Sequence, residues 1–234
     1  MMILIGCLPV KAGKALPPAE IVIHVPGSES KVTSPIDIMA SVTPGADDLI
    51  RISLIDQNRN LLARKLIRLD PEQIITSQLS SQLVFEIPTE RTEALLTLVT
   101  KDAYNRPLSL RAIPLELNSM DEGVVEAQSF HEPWLVIETP EPLSTHCGGI
   151  LTVNGKITPI TTKPVIFELI TDTNGLIGSK QLVVSTVGEE VSFEIAMTYG
   201  FINTTRDVRL VIRQTIDPFS VDGILDSIPI FLAP

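Results

Sequence analysis

The chain has 234 residues, of which 44% are hydrophobic and 20% are charged, so it can bury a sizeable core. This composition excludes a disordered acidic tail and a fibrous repeat. The net charge of −10 leaves no surplus of basic side chains to neutralise phosphates, which excludes nucleic acid as a favoured partner.

Residues 1–19 are interpreted as a truncated lipoprotein leader and a tether. The segment Leu4-Ile5-Gly6-Cys7 follows the apolar Met1-Met2-Ile3 and resembles the bacterial lipobox, in which small and aliphatic residues precede a lipidated cysteine. The resemblance implies that Cys7 is the lipidation site. The basic segment and the full apolar segment of a leader are missing, so either the true start lies upstream or the match is a coincidence in an ordinary terminus.

The next part of the chain, residues 20–117, predicts short strands separated by turns. Apolar and polar residues alternate in Ile36 to Val42, a period of two that is typical of a strand with one face in water. Glycine, proline, asparagine and aspartate lie between such segments, as in Pro44 to Asp48. Similar alternation predicts further strands at 50–54, 83–87, 95–99 and 108–117.

The second half of the chain repeats the first at an offset of about 115 residues, an internal similarity that indicates two copies of one domain. In the second copy Asn174-Gly175 predicts a hairpin turn in which the glycine takes a positive φ. Five blocks match in the same order: 21–26 with 135–140, 42–44 with 157–159, 52–62 with 167–177, 84–87 with 192–195, and 113–117 with 228–232.

The predicted organisation is two tandem immunoglobulin-like β-sandwiches of about seven strands each, at 20–117 and 133–234. Residues 118–132 form a polar linker that is expected to bend or pack loosely. One segment departs from the strand pattern, because Leu69 to Leu79 has a proline at a possible first helical position and could form a short helix.

The first copy carries a family resemblance. The pattern Ile23-x-Val25-Pro26, followed by Val32-Thr33-Ser34-Pro35-Ile36-x-Ile38, resembles the bacterial immunoglobulin-like domain associated with spore germination proteins and other envelope lipoproteins. The second copy keeps Pro140 but has Cys147-Gly148 in place of the Ser-Pro pair. The resemblance implies an accessory extracellular module and brings no catalytic residues with it.

The histidines and Cys147 are the residues first considered for chemistry. A hydrolytic triad needs a histidine near a nucleophile, and the only histidines are His24, His131 and His146. His24 lies in an alternating strand and is interpreted as a surface or edge residue. His146 and Cys147 are zinc-ligand types, but adjacent strand residues point to opposite faces, so Cys147 is interpreted as a small apolar strand residue.

Acidic residues and the lone tryptophan give three further candidates. The stretch Asp217 to Asp226 places three carboxylates in one loop, which is interpreted as a solvated hairpin turn with calcium binding as the alternative. Glu189-Glu190 is interpreted as a hairpin tip. Trp134 is interpreted as packed between domains, with a possible partner contact as the alternative, since tryptophan is enriched at binding hot spots.

These observations predict a non-catalytic binding or adaptor module of a bacterial envelope protein, extracytoplasmic and held by a lipid on Cys7. The expected partner is an envelope protein or a cell-wall component, the membrane is contacted only through the lipid anchor, and no cofactor or metal is implied. The alternative is a structural spacer or subunit of an envelope assembly. A hydrolase is the least favoured class, because it would need titratable groups that converge in a pocket.

Overall fold

The computed structural model describes residues 20–69, 76–120, 123–127, 133–200 and 202–234. In these residues the protein is all-β, with sixteen strands and no helix. The strands are β1 Ile21–Val25, β2 Lys31–Val32, β3 Ile36–Val42, β4 Leu49–Asp56, β5 Leu61–Arg68, β6 Ser77–Leu83, β7 Arg91–Lys101, β8 Pro107–Asn118, β9 Leu135–Thr139, β10 Thr145–His146, β11 Ile150–Ile157, β12 Val165–Thr171, β13 Leu176–Leu182, β14 Val191–Thr198, β15 Arg206–Ile216 and β16 Val221–Leu232. Across the described ranges, no helix is long and apolar enough to cross a membrane.

The contacts divide the chain into two compact units. The first unit contains Ala19–Glu132 together with Arg213–Asp226, the end of the β15–β16 hairpin. The second contains Pro133–Ile212 and Ser227–Pro234. The first unit is therefore discontinuous in sequence. The bounds of the two predicted domains stay a prediction.

Each unit has the strand order of an immunoglobulin-like sandwich. In the first unit β1, β3 and β6 form one sheet and β8, β7, β4 and β5 form the other, with β2 parallel to β8. In the second unit β9, β11 and β14 form one sheet and β16, β15, β12 and β13 the other, with β10 parallel to β16. Each strand of the second set begins 114–116 residues after its counterpart. The predicted all-β sandwich fold is confirmed.

Alternating burial explains why these sequences form strands. In β3 the side chains of Ile36, Ile38, Ala40 and Val42 are buried, whereas Asp37 and Met39 between them are exposed. These apolar side chains join a single core with those of the opposite sheet, including Ile52 and Leu96. The period of two thus places one face of each strand against the other sheet.

Three hairpin turns share one construction. In each, a side chain at the end of the first strand, or one residue beyond it, accepts a hydrogen bond from the backbone N–H four residues later, and the residue before that N–H has a positive φ. This is the geometry of a three-residue loop that ends in a left-handed residue. The bonds are Asn60 N to Asp56 Oδ1 at 2.8 Å, Arg106 N to Asp102 Oδ1 at 2.9 Å, and Gly175 N to Thr171 Oγ1 at 3.0 Å.

The turn around Asn174-Gly175 differs from the sequence prediction in one detail. Asn174, and not Gly175, has the positive φ, 61°. A type I turn followed by a left-handed residue puts that conformation on the third loop position, which Asn174 occupies. Arg59 holds the equivalent position in the first copy with a φ of 64°.

One of the five repeat blocks was matched to the wrong segment. Residues 84–87 lie outside any strand, and the predicted strand at 83–87 is wrong, because β6 ends at Leu83. The counterpart of β14 is β6, which pairs with β3 as β14 pairs with β11. Phe85 is buried, and its N–H donates to Ser34 Oγ at 3.1 Å. The alternation of apolar and polar residues at 84–87 therefore reflects burial, although these residues belong to no strand.

Two further predictions concern the possible short helix at 69–79 and the linker at 118–132. Most of the possible short helix, residues 70–75, lies outside the described residues, and its last residues belong to β6. The described part of the linker, residues 123–127, does not pack loosely. Lys31 N donates to Val124 O at 2.9 Å and Glu126 N donates to Ser30 Oγ at 2.9 Å, so this segment runs along the β2 region of the first unit.

Candidate functional site

Two of the sequence-predicted residues cannot be placed. Cys7, with the whole leader and tether, lies outside the described residues, as does His131. The lipidation of Cys7 therefore stays a prediction.

Trp134 is buried in the structure. Its side chain is 6% exposed, and its backbone carbonyl accepts a hydrogen bond from Thr158 N at 2.7 Å. The partner contact predicted for Trp134 stays a prediction, but a partner would reach only a small part of this ring.

The two described histidines are bonded to serines in different units. His24 Nε2 lies 2.7 Å from Ser41 Oγ, which joins β1 to β3. His146 Nε2 lies 2.7 Å from Ser144 Oγ, and burial lowers the pKa of His146 below its usual value. Each imidazole is thus held by a serine of its own unit.

Cys147 does not lie on a strand, contrary to the sequence interpretation. It follows β10 directly, is half-buried, and precedes Gly148 and Gly149, both of which have a positive φ. Two consecutive left-handed glycines end the extended conformation there, so the chain turns before β11. No cluster of three or more histidine, cysteine or acidic side chains that could hold a metal ion occurs among the residues that the structure describes.

The acidic stretch at 217–226 forms the turn and second strand of the β15–β16 hairpin. Asp222 accepts a hydrogen bond from Arg213 at 2.8 Å, and Asp226 accepts one from Arg111 at 2.7 Å. The sequence predicted a solvated turn here, but Phe219 at the turn is only 2% exposed, so this part of the turn is buried. Two of the three carboxylates thus form ion pairs with arginines.

The pair Glu189-Glu190 lies just before β14. Glu190 Oε1 accepts a hydrogen bond from Lys156 Nζ at 2.8 Å, and this bond, with the charge of Glu190, raises the pKa of Lys156. Both side chains are well exposed, so the pair is a surface ion pair of low expected stability.

A groove of about 520 Å³, lined mostly by polar residues, opens in the first unit between the β4–β5 turn and the start of β7. Gln57 and Glu93 line it and are hydrogen-bonded to each other. Asp56 also lines it. Burial alone would raise the pKa of Asp56, but hydrogen bonds from Asn60 and Asn58 outweigh this and lower it. Sequence reasoning missed the groove because its residues come from three separate parts of the chain, 56–62, 88–93 and Glu116.

The outer edge of β5 is the second feature of the first unit. β5 pairs with β4 on one side, and no described residue forms a backbone hydrogen bond with its other side. Leu61 is 50% exposed and Leu66 is 58% exposed, with Arg64, Lys65 and Arg68 exposed between and beside them. An edge strand of this kind presents unpaired N–H and C=O groups that another chain can pair with.

The equivalent edge in the second unit, β13, is partly covered. Gly200 N donates to Ile177 O at 3.1 Å, so the chain after β14 bonds to the outer side of β13. A Cβ on Gly178 would lie 2.7 Å from Thr198 O, which means that only glycine permits this close approach. The two units therefore share a fold but differ at this edge.

Comparisons with known proteins give structural similarity alone. No protein-family model matches the chain, and no curated protein sequence does. The chain is similar to dimeric latent PorU from Porphyromonas gingivalis, with 14% identity and a TM-score of 0.29 over 92% of this chain and 20% of that one. It is also similar to the Salmonella enterica SafA pilin in complex with the SafB chaperone, with 10% identity and a TM-score of 0.26 over 95% of this chain and 99% of that one.

These similarities are too low to assign a function. The chain spans about a fifth of the length of the PorU chain that it matches. The predicted resemblance to the spore-germination-associated immunoglobulin-like domain has no matching family model and stays a prediction.

Proposed function

We propose that this chain is a non-catalytic binding or adaptor module of a lipid-anchored bacterial envelope protein, positioned outside the cytoplasm. The observation that carries the binding role is the outer edge of β5, where a strand of the first unit has no backbone partner among the described residues. Extended peptides bind such edges by adding a strand, with main-chain hydrogen bonds for affinity and side-chain contacts for specificity.

The envelope location is supported by the lipobox-like segment that ends at Cys7. We would express the gene with its native upstream region, fractionate the cells and measure the intact mass of the mature protein, beside a Cys7→Ala variant. The expected result is a membrane-associated chain that begins at Cys7 and carries a diacylglyceryl group, with both properties lost in the variant. An unmodified soluble protein in both strains would overturn the location.

The binding role is tested separately from the location. The expected behaviour of the purified protein is a monomer in light scattering that captures a defined partner from an envelope extract. Concentration-dependent self-association without any captured partner would instead favour the structural spacer. The partner would be an envelope protein or a cell-wall component, and no cofactor takes part.

A further inference from the structure

The side chains of β5 make its edge basic, although the whole chain has a net charge of −10. Strand β5, Leu61–Arg68, contains three basic residues and no acidic one. Arg64 and Arg68 form no ion pair or hydrogen bond with other described side chains, and the Lys65 ammonium donates to Gln82 O at 2.9 Å. Two arginines on this strand are thus available to a partner.

The strand register places both arginines on the same face as an exposed leucine. Arg64 lies opposite Ser53 of β4, and Leu66 lies opposite Arg51. Side chains of a strand alternate between its two faces, so Arg64, Leu66 and Arg68 share one face and Lys65 belongs to the other. The Lys65 bond to Gln82 of β6, in the opposite sheet, identifies the Lys65 face as the inner one.

The second unit shows that the fold does not require this charge. Arg64 is matched by Ser179 of β13, and Arg68 is matched by Val183, which directly follows β13. Lys65 is matched by Lys180. The edge of β13 is also partly covered by backbone. An uncovered backbone edge and a basic outer face therefore occur together in the first unit and are both absent from the matching place in the second.

We infer that the β5 edge binds an extended acidic segment of a partner protein by strand addition. An added strand would place an acidic side chain opposite each arginine and an apolar one opposite Leu66. Opposite charges and apolar groups directly across two strands stabilise their pairing. This inference rests on the proposed function and names the surface of this chain and the chemistry of its partner.

The test uses fluorescein-labelled peptides and fluorescence anisotropy with the full-length protein. The probe is Thr-Glu-Thr-Val-Thr-Glu-Thr, which carries both glutamates and the valine on one face of an extended strand. A second peptide replaces both glutamates with lysine, and a third keeps the charges but is N-methylated at every residue, so that neither of its edges can donate a backbone hydrogen bond. We expect saturable binding of the first peptide alone.

Matched variants locate the binding surface. Arg64→Gln with Arg68→Gln lowers the net charge by two, and so does the control, Ser179→Glu with Val183→Glu. We expect the first variant to bind the acidic peptide about fivefold more weakly, since two cross-strand ion pairs are lost. The control variant is expected to bind it as the unaltered protein does.

Several outcomes would overturn the inference. They are equal binding of the lysine peptide or of the N-methylated peptide, an equal loss in both variants, and no binding of the acidic peptide. Binding to phosphatidylglycerol vesicles that needs both arginines, without peptide binding, would identify a lipid surface instead, and arginine-dependent self-association would identify a second copy. If the acidic peptide does not bind but the lipidated protein still captures a partner, the proposed function stands and this inference is wrong.

Discussion

The Nε atom of Arg106 lies 2.7 Å from Oδ2 of Asp102, and the two side chains are only 1% and 9% exposed. The same carboxylate accepts the backbone N–H groups of Tyr104 and Arg106 through its other oxygen. The Arg106 guanidinium also lies over the Tyr104 ring, 4.9 Å from its centroid. The β7–β8 turn therefore holds a buried charge pair where the two other turns of the same construction hold none.

Replacing Asp102 by asparagine is expected to lower the free energy of unfolding by about 3 kcal/mol, because the buried Arg106 charge loses its counter-charge. Urea unfolding measures the change. The control is Asp56→Asn at the matching position of the β4–β5 turn, where the neighbouring groups are exposed. Equal losses in the two variants would mean that turn geometry, and not the buried ion pair, sets the stability.

A methyl group at Gly155 is expected to disrupt the pairing of β9 with β11. The Cβ of an alanine there would lie 2.0 Å from Val136 O, and backbone cannot move aside as a flexible side chain can. We expect Gly155→Ala to cost about 2 kcal/mol or more in thermal or urea unfolding. Gly200→Ala is the control, since nothing lies within 4 Å of its added Cβ. A Gly155→Ala protein as stable as the control would contradict the close approach.

The partial burial of His146 is expected to make stability depend on pH. Burial lowers its pKa in the folded protein, so between the unfolded value of about 6.5 and the folded value the unfolded chain binds more protons. The free energy of unfolding should therefore fall as the pH decreases below about 6.5 and level off below the folded pKa. Urea unfolding from pH 7.5 to 5 should show this slope, reduced in His146→Gln. Parallel curves for the two proteins would refute the assignment.

The ion pair between Arg111 and Asp226 is expected to stabilise the pairing of β8 with β16 in the first unit. Arg111 donates to both carboxylate oxygens, at 2.9 and 2.7 Å, and Ser109 donates to one of them. We expect Arg111→Met to lower the free energy of unfolding by about 2 kcal/mol, because both groups are largely buried. Arg213→Met, which breaks the more exposed pair with Asp222, should cost less. The reverse order would contradict this role.

The sequence predicted the fold class because burial alternates along segments such as Ile36 to Val42. It also located the second copy, because the hairpin at Asp56 to Asn60 recurs at Thr171 to Gly175. The prediction was wrong at β6, Ser77–Leu83, where only Leu79 and Leu83 are buried apolar residues, so its pattern is fainter than that of the unpaired Val84 to Ile87.

The groove and the β5 edge could not be found from the sequence for a different reason. The groove brings Gln57 next to Glu93, which are 36 residues apart, and local periodicity carries no information on such contacts. The charge of Arg64 and Arg68 is visible in the sequence, but strand order alone decides whether β5 lies at an edge. The covering of β13 depends on the close approach of backbone at Gly178, and a single glycine in the sequence does not predict such a contact.

The segment Arg213–Asp226 gives the first unit an unusual order of synthesis. These residues leave the ribosome after the whole of Pro133–Ile212, although the first unit contains them. Until they emerge, Arg111 lacks its counter-ion Asp226, and Arg59 lacks the carbonyl groups of Phe219 and Ser220 to which it donates. The N-terminal part of the first unit can thus reach its final structure only after Arg213–Asp226 have been synthesised.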